Sequence, residues 1–467
     1  MKRKSFSLSI ILLSLLFSSL CEANVRIPSI LGSHMVLQQN SQACFWGWAN
    51  PGEKVRIMVD WDTSLHQVTT WGDGRWKINI PTGKAGGPYK VFISGDNAIV
   101  LEDVMIGEVW VCSGQSNMEL SGDQGLQQSI EEAPHANNQK IRLFFIPRTT
   151  ATHPEDHSEG CWKVCSPEEM IHFSAIGYFF GKRLQRDLKV PVGLISSSWG
   201  GTLAETWTPE EVVMQNKELA DIALQRKPGA WRPVYPGMIY NAMIYPLTPF
   251  TIAGVIWYQG ESNAGEGASY PTLFSALIKS WREQWKQDFP FYYVQIAPYD
   301  YGNNTAGARL REAQTKTLQL VPNTGMVVIS DLVTDVHNIH PTNKIDVAER
   351  LANLALTKTY GKSGLPCEYP RFASMEKEKD KIRIQFSNAA DGLVSRGGAP
   401  TEFYIAGSDQ QFHPATARIE GSSVVVSSKE VKDPVAVRFG FTNTATPNLF
   451  NKEGLPVDLF RTDDWSK

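Results

Sequence analysis

Residues 107–118 read Gly107-Glu108-Val109-Trp110-Val111-Cys112-Ser113-Gly114-Gln115-Ser116-Asn117-Met118. An apolar, β-branched run passes without a break into a Gly-polar-Ser turn. A run this continuously apolar suits a strand covered on both faces rather than one that alternates toward water. Small polar residues after such a strand fall where open α/β sheets bind ligands, outside the carboxyl ends of the strands. A Ser at that place, ahead of a helix, can act as a nucleophile, with nearby backbone N–H groups available to a developing oxyanion. The same Ser116 would equally serve to cap the next helix. The segment is not the Gly-x-Ser-x-Gly elbow, because Met118 stands where the second glycine would be.

Working outward, further apolar strands alternate with helical stretches: Val192–Ser197, Gly254–Tyr258, Phe291–Ile296 and Gly325–Ile329, with helices over Ala175–Leu188, Pro271–Trp285, Arg309–Leu320 and Lys344–Thr359. The last of these places Val347, Ala348, Leu351, Leu354 and Ala355 on one face. Strand and helix in alternation predict an α/β fold with a largely parallel sheet and helices on both sides. Before this region, residues 24–103 carry short strands (Lys54–Val59, Trp76–Ile80, Tyr89–Ser94) separated by turn signals such as Asn50-Pro51-Gly52 and Gly72-Asp73-Gly74, the pattern of a small β-sandwich. After it, residues 366–467 return to β, with Lys381–Phe386, Ser423–Ser427 and Ala436–Gly440. The division is therefore a leader over 1–23, a β-sandwich over 24–103, a catalytic α/β region over 104–365 and a C-terminal β module over 366–467.

Three further motifs follow predicted strands. Ser196-Ser197-Ser198-Trp199-Gly200-Gly201-Thr202 offers two glycines that let backbone approach a ligand and present an N–H; an ordinary turn would look the same. Trp257-Tyr258-Gln259-Gly260-Glu261-Ser262-Asn263 offers two neutral amide donors, Gln259 and Asn263, and an acid, Glu261, able to orient a neighbour or touch substrate. Asp331-Leu332-Val333-Thr334-Asp335-Val336-His337-Asn338-Ile339-His340-Pro341 supplies histidine, whose near-neutral pKa makes it the usual base for a hydroxyl nucleophile. Of nine histidines, His337 and His340 alone sit in such a place. Asp331, Asp335 or Asn338 could hold the ring. As a metal pair, His337 and His340 lack clustered companions.

Composition excludes other classes. Hydrophobic residues at 42% and charged residues at 20% rule out disorder of the chain as a whole. Lys and Arg number 45 against 48 Asp and Glu, a net charge of −3, which argues against a nucleic-acid surface. Lys2-Arg3-Lys4, an apolar stretch from Phe6 to Leu20 and Cys21-Glu22-Ala23 read as an export signal cleaved after Ala23, too short to span a bilayer. A lipid anchor on Cys21 is the alternative, poorly served by Leu20 before it. The expected product is an exported protein, periplasmic or secreted, without stable membrane insertion. The remaining cysteines are odd in number; Cys161 and Cys165 would form a local disulfide or stay two thiols. Of 14 tryptophans, Trp46, Trp48, Trp61, Trp71 and Trp76 are expected in the core of the N-terminal module and Trp110 and Trp257 in that of the sheet. Trp199 and Trp207 are expected as sugar platforms.

Four motifs in this order are far more specific than any one. Gly114-Gln115-Ser116-Asn117-Met118, Trp199-Gly200-Gly201-Thr202 with Glu205 and Trp207, Trp257–Asn263, and Ile339-His340-Pro341 with Asn343-Lys344 together resemble the SGNH-hydrolase superfamily, and within it the sialate O-acetylesterase family of carbohydrate esterases. The stretch Pro28–Gln38 is similar to that family's opening, and the resemblance covers roughly residues 25–360. It implies an SGNH-like three-layer α/β fold, Ser116 as nucleophile, His340 as base, and an oxyanion hole from the Ser116 N–H, Gly200 or Gly201, and Gln259 or Asn263. It implies Gln115, Glu261 and Trp199 near substrate, an O-acetylated sugar, and no metal or organic cofactor. Superfamily members commonly place Asp three residues before the His; here that residue is His337, so Asp335 takes the acid's role, with Asp331, Glu261 or no acid as alternatives. The reaction implied is two-step acetyl transfer. Sialic acid and plant polysaccharides such as xylan are the candidate substrates, and a non-catalytic sugar-binding protein is the reading of another class.

Overall fold

The computed structural model describes residues 24–227, 231–302 and 305–465. The leader assigned to residues 1–23, with Cys21, lies outside the described residues. At the centre is a sheet built on β1 (Ala98–Gly114), β2 (Asn138–Phe145), β3 (Trp162–Cys165), β4 (Val192–Ser198), β5 (Gly254–Tyr258), β6 (Phe291–Val294) and β7 (Thr324–Val327). Their spatial order is β7-β6-β5-β1-β4-β2-β3. All pairings are parallel except that of β2 with β3 at the edge.

Register assigns the two faces. Trp110 of β1 lies opposite Gly254 of β5, and Ser113 opposite Trp257. Since side chains alternate along a strand, Trp110 and Trp257 point to opposite sides of the sheet. Trp110 packs edge-on against Phe180 of α2 (Ala175–Leu188), with ring centroids 5.1 Å apart, and donates from Nε1 to Tyr360 Oη at 2.9 Å. Trp257 stacks on Phe274 of α3 (Tyr270–Trp285), 6.2 Å away, which packs beside α4 (Ala306–Leu320). On the Trp110 side, α2 lies against α5 (Ile345–Lys358), whose Val347, Ala348, Leu351, Leu354 and Ala355 are all buried as the periodicity predicts. The result is the three-layer α/β architecture read from the sequence.

The strand β1 has 17 residues and two environments. Its first part alternates in exposure and pairs antiparallel with Gly86–Ser94, which continues to Lys54–Val59 and Asp62–Thr69. From Val104 to Gly114 every residue is buried, where β4 and β5 flank it. Gln42–Trp48 and Arg75–Pro81 form a separate two-stranded sheet. Trp46 and Trp76 are buried there, whereas Trp71 is exposed, contrary to its expected place in the core. C-terminal strands form small antiparallel sheets around a separate core that includes Ile384, Phe403, Phe439 and Phe460. Buried Asp458 joins them to the α/β layers by accepting from Gln295 Nε2 at 2.8 Å and Thr315 Oγ1 at 2.9 Å.

Strand β2 was not legible as a strand, because Arg142 interrupts its apolar pattern. Arg142 is only 2% exposed; its guanidinium reaches Asp103 at 2.9 and 3.1 Å. The partner that makes a charge tolerable inside a sheet sits 39 residues away. Cys161 and Cys165 are both free thiols, the first exposed and the second buried with its Sγ donating to Ala136 O at 3.3 Å. Among the described residues no helix is long and apolar enough to cross a membrane.

Candidate active site

β1 ends in Gly114 at φ +137°, and an added Cβ would lie 2.2 Å from Tyr258 O of β5. Only glycine lets the two strands stay paired while the chain turns into the short helix α1 (Ser116–Glu119). That turn brings Ser116 to the carboxyl end of the sheet, beside the loop that follows β7. Ser116 Oγ and His340 Nε2 are 2.8 Å apart. The His340 backbone N–H donates to Asn338 Oδ1 at 2.9 Å, closing the loop on itself. Burial, and then the Lys344 charge, hold the imidazole below its ordinary value of 6.5. The ring is thus neutral at pH 7 and free to accept a proton.

The acid expected to hold this ring is elsewhere. Asp335 is exposed, and its Oδ1 accepts the His337 backbone N–H at 2.9 Å. Two residues is the reach of a local Asx turn, and that contact directs the carboxylate into its own loop. Asp331 makes a two-pronged pair with Arg350 at 2.6 and 2.7 Å. His337 is exposed, its Nδ1 3.6 Å from Asp300. Among the described residues no carboxylate is ion-paired with His340.

The expected amide donors are also engaged away from Ser116. Gln259 Nε2 donates to Thr202 O at 3.1 Å and Asn263 Oδ1 at 2.8 Å, and its Oε1 accepts from Tyr270 Oη at 2.9 Å. Asn263 Nδ2 donates to Glu205 and Glu266, each at 2.9 Å, and its Oδ1 also accepts the Ala204 N–H at 3.0 Å. Both amides are fully buried. They knit the loops after β4 and β5 together, and each NH2 group already has two acceptors, the most it can take. Gln115, 3% exposed, ties the Ser116 turn to the β5 loop by accepting from the Gly260 and Ser262 N–H groups at 3.4 and 3.3 Å.

Gly200 packs against Ser116: an added Cβ would sit 3.2 Å from Ser116 Cβ. Its N–H donates to Glu119 Oε2 at 2.8 Å, and Glu119 Oε1 accepts from Arg148 Nε at 2.6 Å. The Ser116 N–H has no acceptor among the described residues. A cavity of about 670 Å³ opens over these groups, walled by Glu119, Arg148, Trp231 and Arg232 with Gly201 and Glu261. Trp199, half-buried, faces Arg148 at 6.0 Å. Trp207 is no platform: it is fully buried, with Nε1 on Thr202 Oγ1 at 2.8 Å and its ring edge-on to Trp257. Trp231, 65% exposed at the cavity wall, has the face that Trp207 lacks. Trp231, Arg148 and Arg232 carry no motif-like spacing, and only the folded chain brings them to Ser116; Glu119 stands three residues on in the same short helix.

Glu261 does reach the Ser116 turn, but through Asn117, whose Nδ2 donates to Glu261 Oε1 at 2.5 Å. Burial lifts the Glu261 carboxyl above its ordinary value, against the opposing Asn117 bond and Lys344 charge. Lys344, almost wholly buried, donates from Nζ to Asn117 Oδ1 at 2.6 Å; burial pulls its pKa down to about 7. Among the described residues no group of three or more His, Cys, Asp or Glu could hold a metal ion.

Comparison with known proteins identifies the family. A family model described as a carbohydrate esterase, sialic acid-specific acetylesterase, matches residues 106–357. The sialate O-acetylesterase of Mus musculus is 30% identical over 407 residues, covering 74% of this chain and 75% of its own. That of Homo sapiens is 30% identical over 388 residues, covering 74% of this chain and 73% of its own. The crystal structure of a carbohydrate acetylesterase from Xanthomonas citri superposes with a TM-score of 0.86 at 36% identity, covering 94% of this chain and 100% of that one. The chain belongs to the sialic acid-specific acetylesterase family of carbohydrate esterases, and it is an esterase.

Proposed function

We propose that this chain is an exported enzyme that removes O-acetyl groups from an acidic sugar of the sialic acid kind through an acetyl-Ser116 intermediate. The observation that carries the reading is the 2.8 Å contact between Ser116 Oγ and His340 Nε2 at the floor of an open cavity. Arg148 and Arg232 on the cavity wall suit a sugar carboxylate, and the exposed Trp231 suits the apolar face of the ring. In the domain division that accompanies this proposal, residues 1–23 export the chain and residues 104–365 carry the chemistry, between β modules over 24–103 and 366–467.

His340 Nε2 takes the Ser116 proton as Oγ attacks the acetyl carbonyl. The oxyanion meets the Ser116 N–H, and the Gly200 N–H once the Glu119 carboxylate turns away to Arg148. His340 then returns the proton to the departing sugar hydroxyl. Water, deprotonated by the same ring, attacks the acetyl-serine and releases acetate. The ring works here without a paired carboxylate; its burial and the loop-closing Asn338 contact hold it in place.

A chromogenic acetate ester tests the chemistry. Ser116→Ala should lower kcat by about 10³-fold or more; a variant within tenfold of wild type would remove Ser116 from the reaction. O-acetylated sialic acid, acetylated xylan and acetylated neutral monosaccharides then choose the sugar. Preference for the neutral substrates would leave the ester chemistry standing and overturn the acidic-sugar assignment.

A further inference from the structure

We propose that Lys344 is a positioning residue for this reaction: through Asn117 its Nζ locks the Ser116 turn to the His340 loop, and it brings a positive charge to that loop. The inference rests on the assignment of Ser116 and His340 above.

Asn117 directly follows Ser116, and Ile339 directly precedes His340. The Asn117 carboxamide spans the two: Nδ2 donates to Ile339 O at 3.0 Å and to Glu261 Oε1, while Oδ1 accepts from Lys344 Nζ. An ammonium can only donate and an ionised carboxylate can only accept, so the pair fixes which end of the amide faces which partner. Turned over, the amide would set NH2 against NH3⁺ and lose the bond to Ile339 O. Lys344 thereby holds the amide in the one orientation that ties nucleophile to base.

Lys344 is 1% exposed. A buried ammonium is costly unless paired, and this one has the Asn117 oxygen, the field of Glu261 and the Tyr258 ring at 5.6 Å. Glu261 Oε2 has no hydrogen-bond partner, so the chain of contacts is incomplete at its far end. The charged groups around His340 are Glu119, Arg148, Arg232 and Glu261 on the shared cavity, Lys344 just before α5, His337 and Asp335 on its own loop, and Asp300 from the loop after β6. Of these, Lys344 is the charge that depresses the ring, adding to burial.

The test uses the full chain and two readouts. The His340 ring resonance, assigned by its loss in His340→Asn, is titrated by NMR, which needs no turnover; kcat and KM are measured on a chromogenic acetate ester. In Lys344→Met the ring should titrate about half a pH unit or more higher, with kcat at pH 6.5, where Lys344 is mostly charged, down about tenfold and KM within about threefold. Lys344→Arg should leave the titration in place. Asn117→Ala, which keeps the charge and cuts the tie, should lower kcat by about tenfold without moving the titration, and it stands as the test should Lys344→Met not fold. An unmoved titration in Lys344→Met overturns the proposal, as does turnover of Asn117→Ala within about threefold of wild type. Activity remaining in Ser116→Ala would instead strike the assignment of the nucleophile, and the His340 titration would still decide the role of Lys344.

Discussion

Two buried polar clusters flank the carboxyl end of β5, and they are built differently. In the first, Gln259, Asn263, Glu205, Glu266 and Arg226 satisfy one another except at Arg226 Nε: the two acids share the Asn263 NH2 group and the Arg226 guanidinium. In the second, Glu261, Asn117 and Lys344 form a chain with one carboxylate oxygen unpartnered and a lysine held near pH 7 by burial. The motif from Trp257 to Asn263 contributes to both clusters. Residues that look equally catalytic in one dimension divide in three, into those that hold loops together and those that touch the Ser116 turn. Perturbed titration beside a cavity marks the second kind.

The comparison predicts where each cluster breaks. Asn263→Leu takes one of two shared donors from Glu205 and Glu266, leaving Arg226 to pair both, and should cost about 1–3 kcal/mol in stability, the range for buried polar groups left without a partner. Urea denaturation reads this, and a loss below about 1 kcal/mol would mean the first cluster is not closed. Next in size is the dependence of activity on pH. Because burial and Lys344 lower His340, the acid limb of kcat/KM should fall below pH 6.5. A limb above that value would mean that an acid outside the observed contacts charges the ring. The smallest effect concerns Glu261. Its folded carboxyl is raised above 4.5, so between 4.5 and the raised value the folded state holds a proton that the unfolded state has lost. Wild-type stability therefore falls as pH rises through that window. Glu261→Gln should escape the fall, so the difference in Tm between variant and wild type should grow in the variant's favour from pH 4.5 to pH 7.5. A flat difference would show that Glu261 is no more buried as an ion than its neighbours.

The sheet was legible because its strands are continuous apolar runs and its helices keep a 3.6-residue period; Ala175–Leu188 and Gly254–Tyr258 lie where the pattern puts them. Ser116 and His340 were legible because motif after motif follows a strand. Arg142 hid β2, since its partner Asp103 lies far off in the chain. Asp335 was misjudged because proximity in sequence to a histidine predicts a local turn as readily as a contact with the ring. The roles of Gln259 and Asn263 were invisible for a related reason: an amide shows its donors in sequence but not the acceptors that claim them. Trp207 lies in the core and Trp231 on the cavity wall; loop tryptophans look alike until packing sorts them.

The long strand β1 has a consequence for how this enzyme can be taken apart. Its outer half completes the antiparallel sheet of the N-terminal strands, and its inner half carries Ser116 at its tip. The two modules therefore share one uncut rod of backbone rather than a linker. A chain begun at Val104 would start within a hydrogen-bonded ladder and strip the pairing from residues 104–107 of the strand that leads to Ser116, leaving β4 and β5 to hold Glu108–Gly114. The N-terminal module is in this sense no detachable passenger: shuffling it between relatives would need a graft inside a strand.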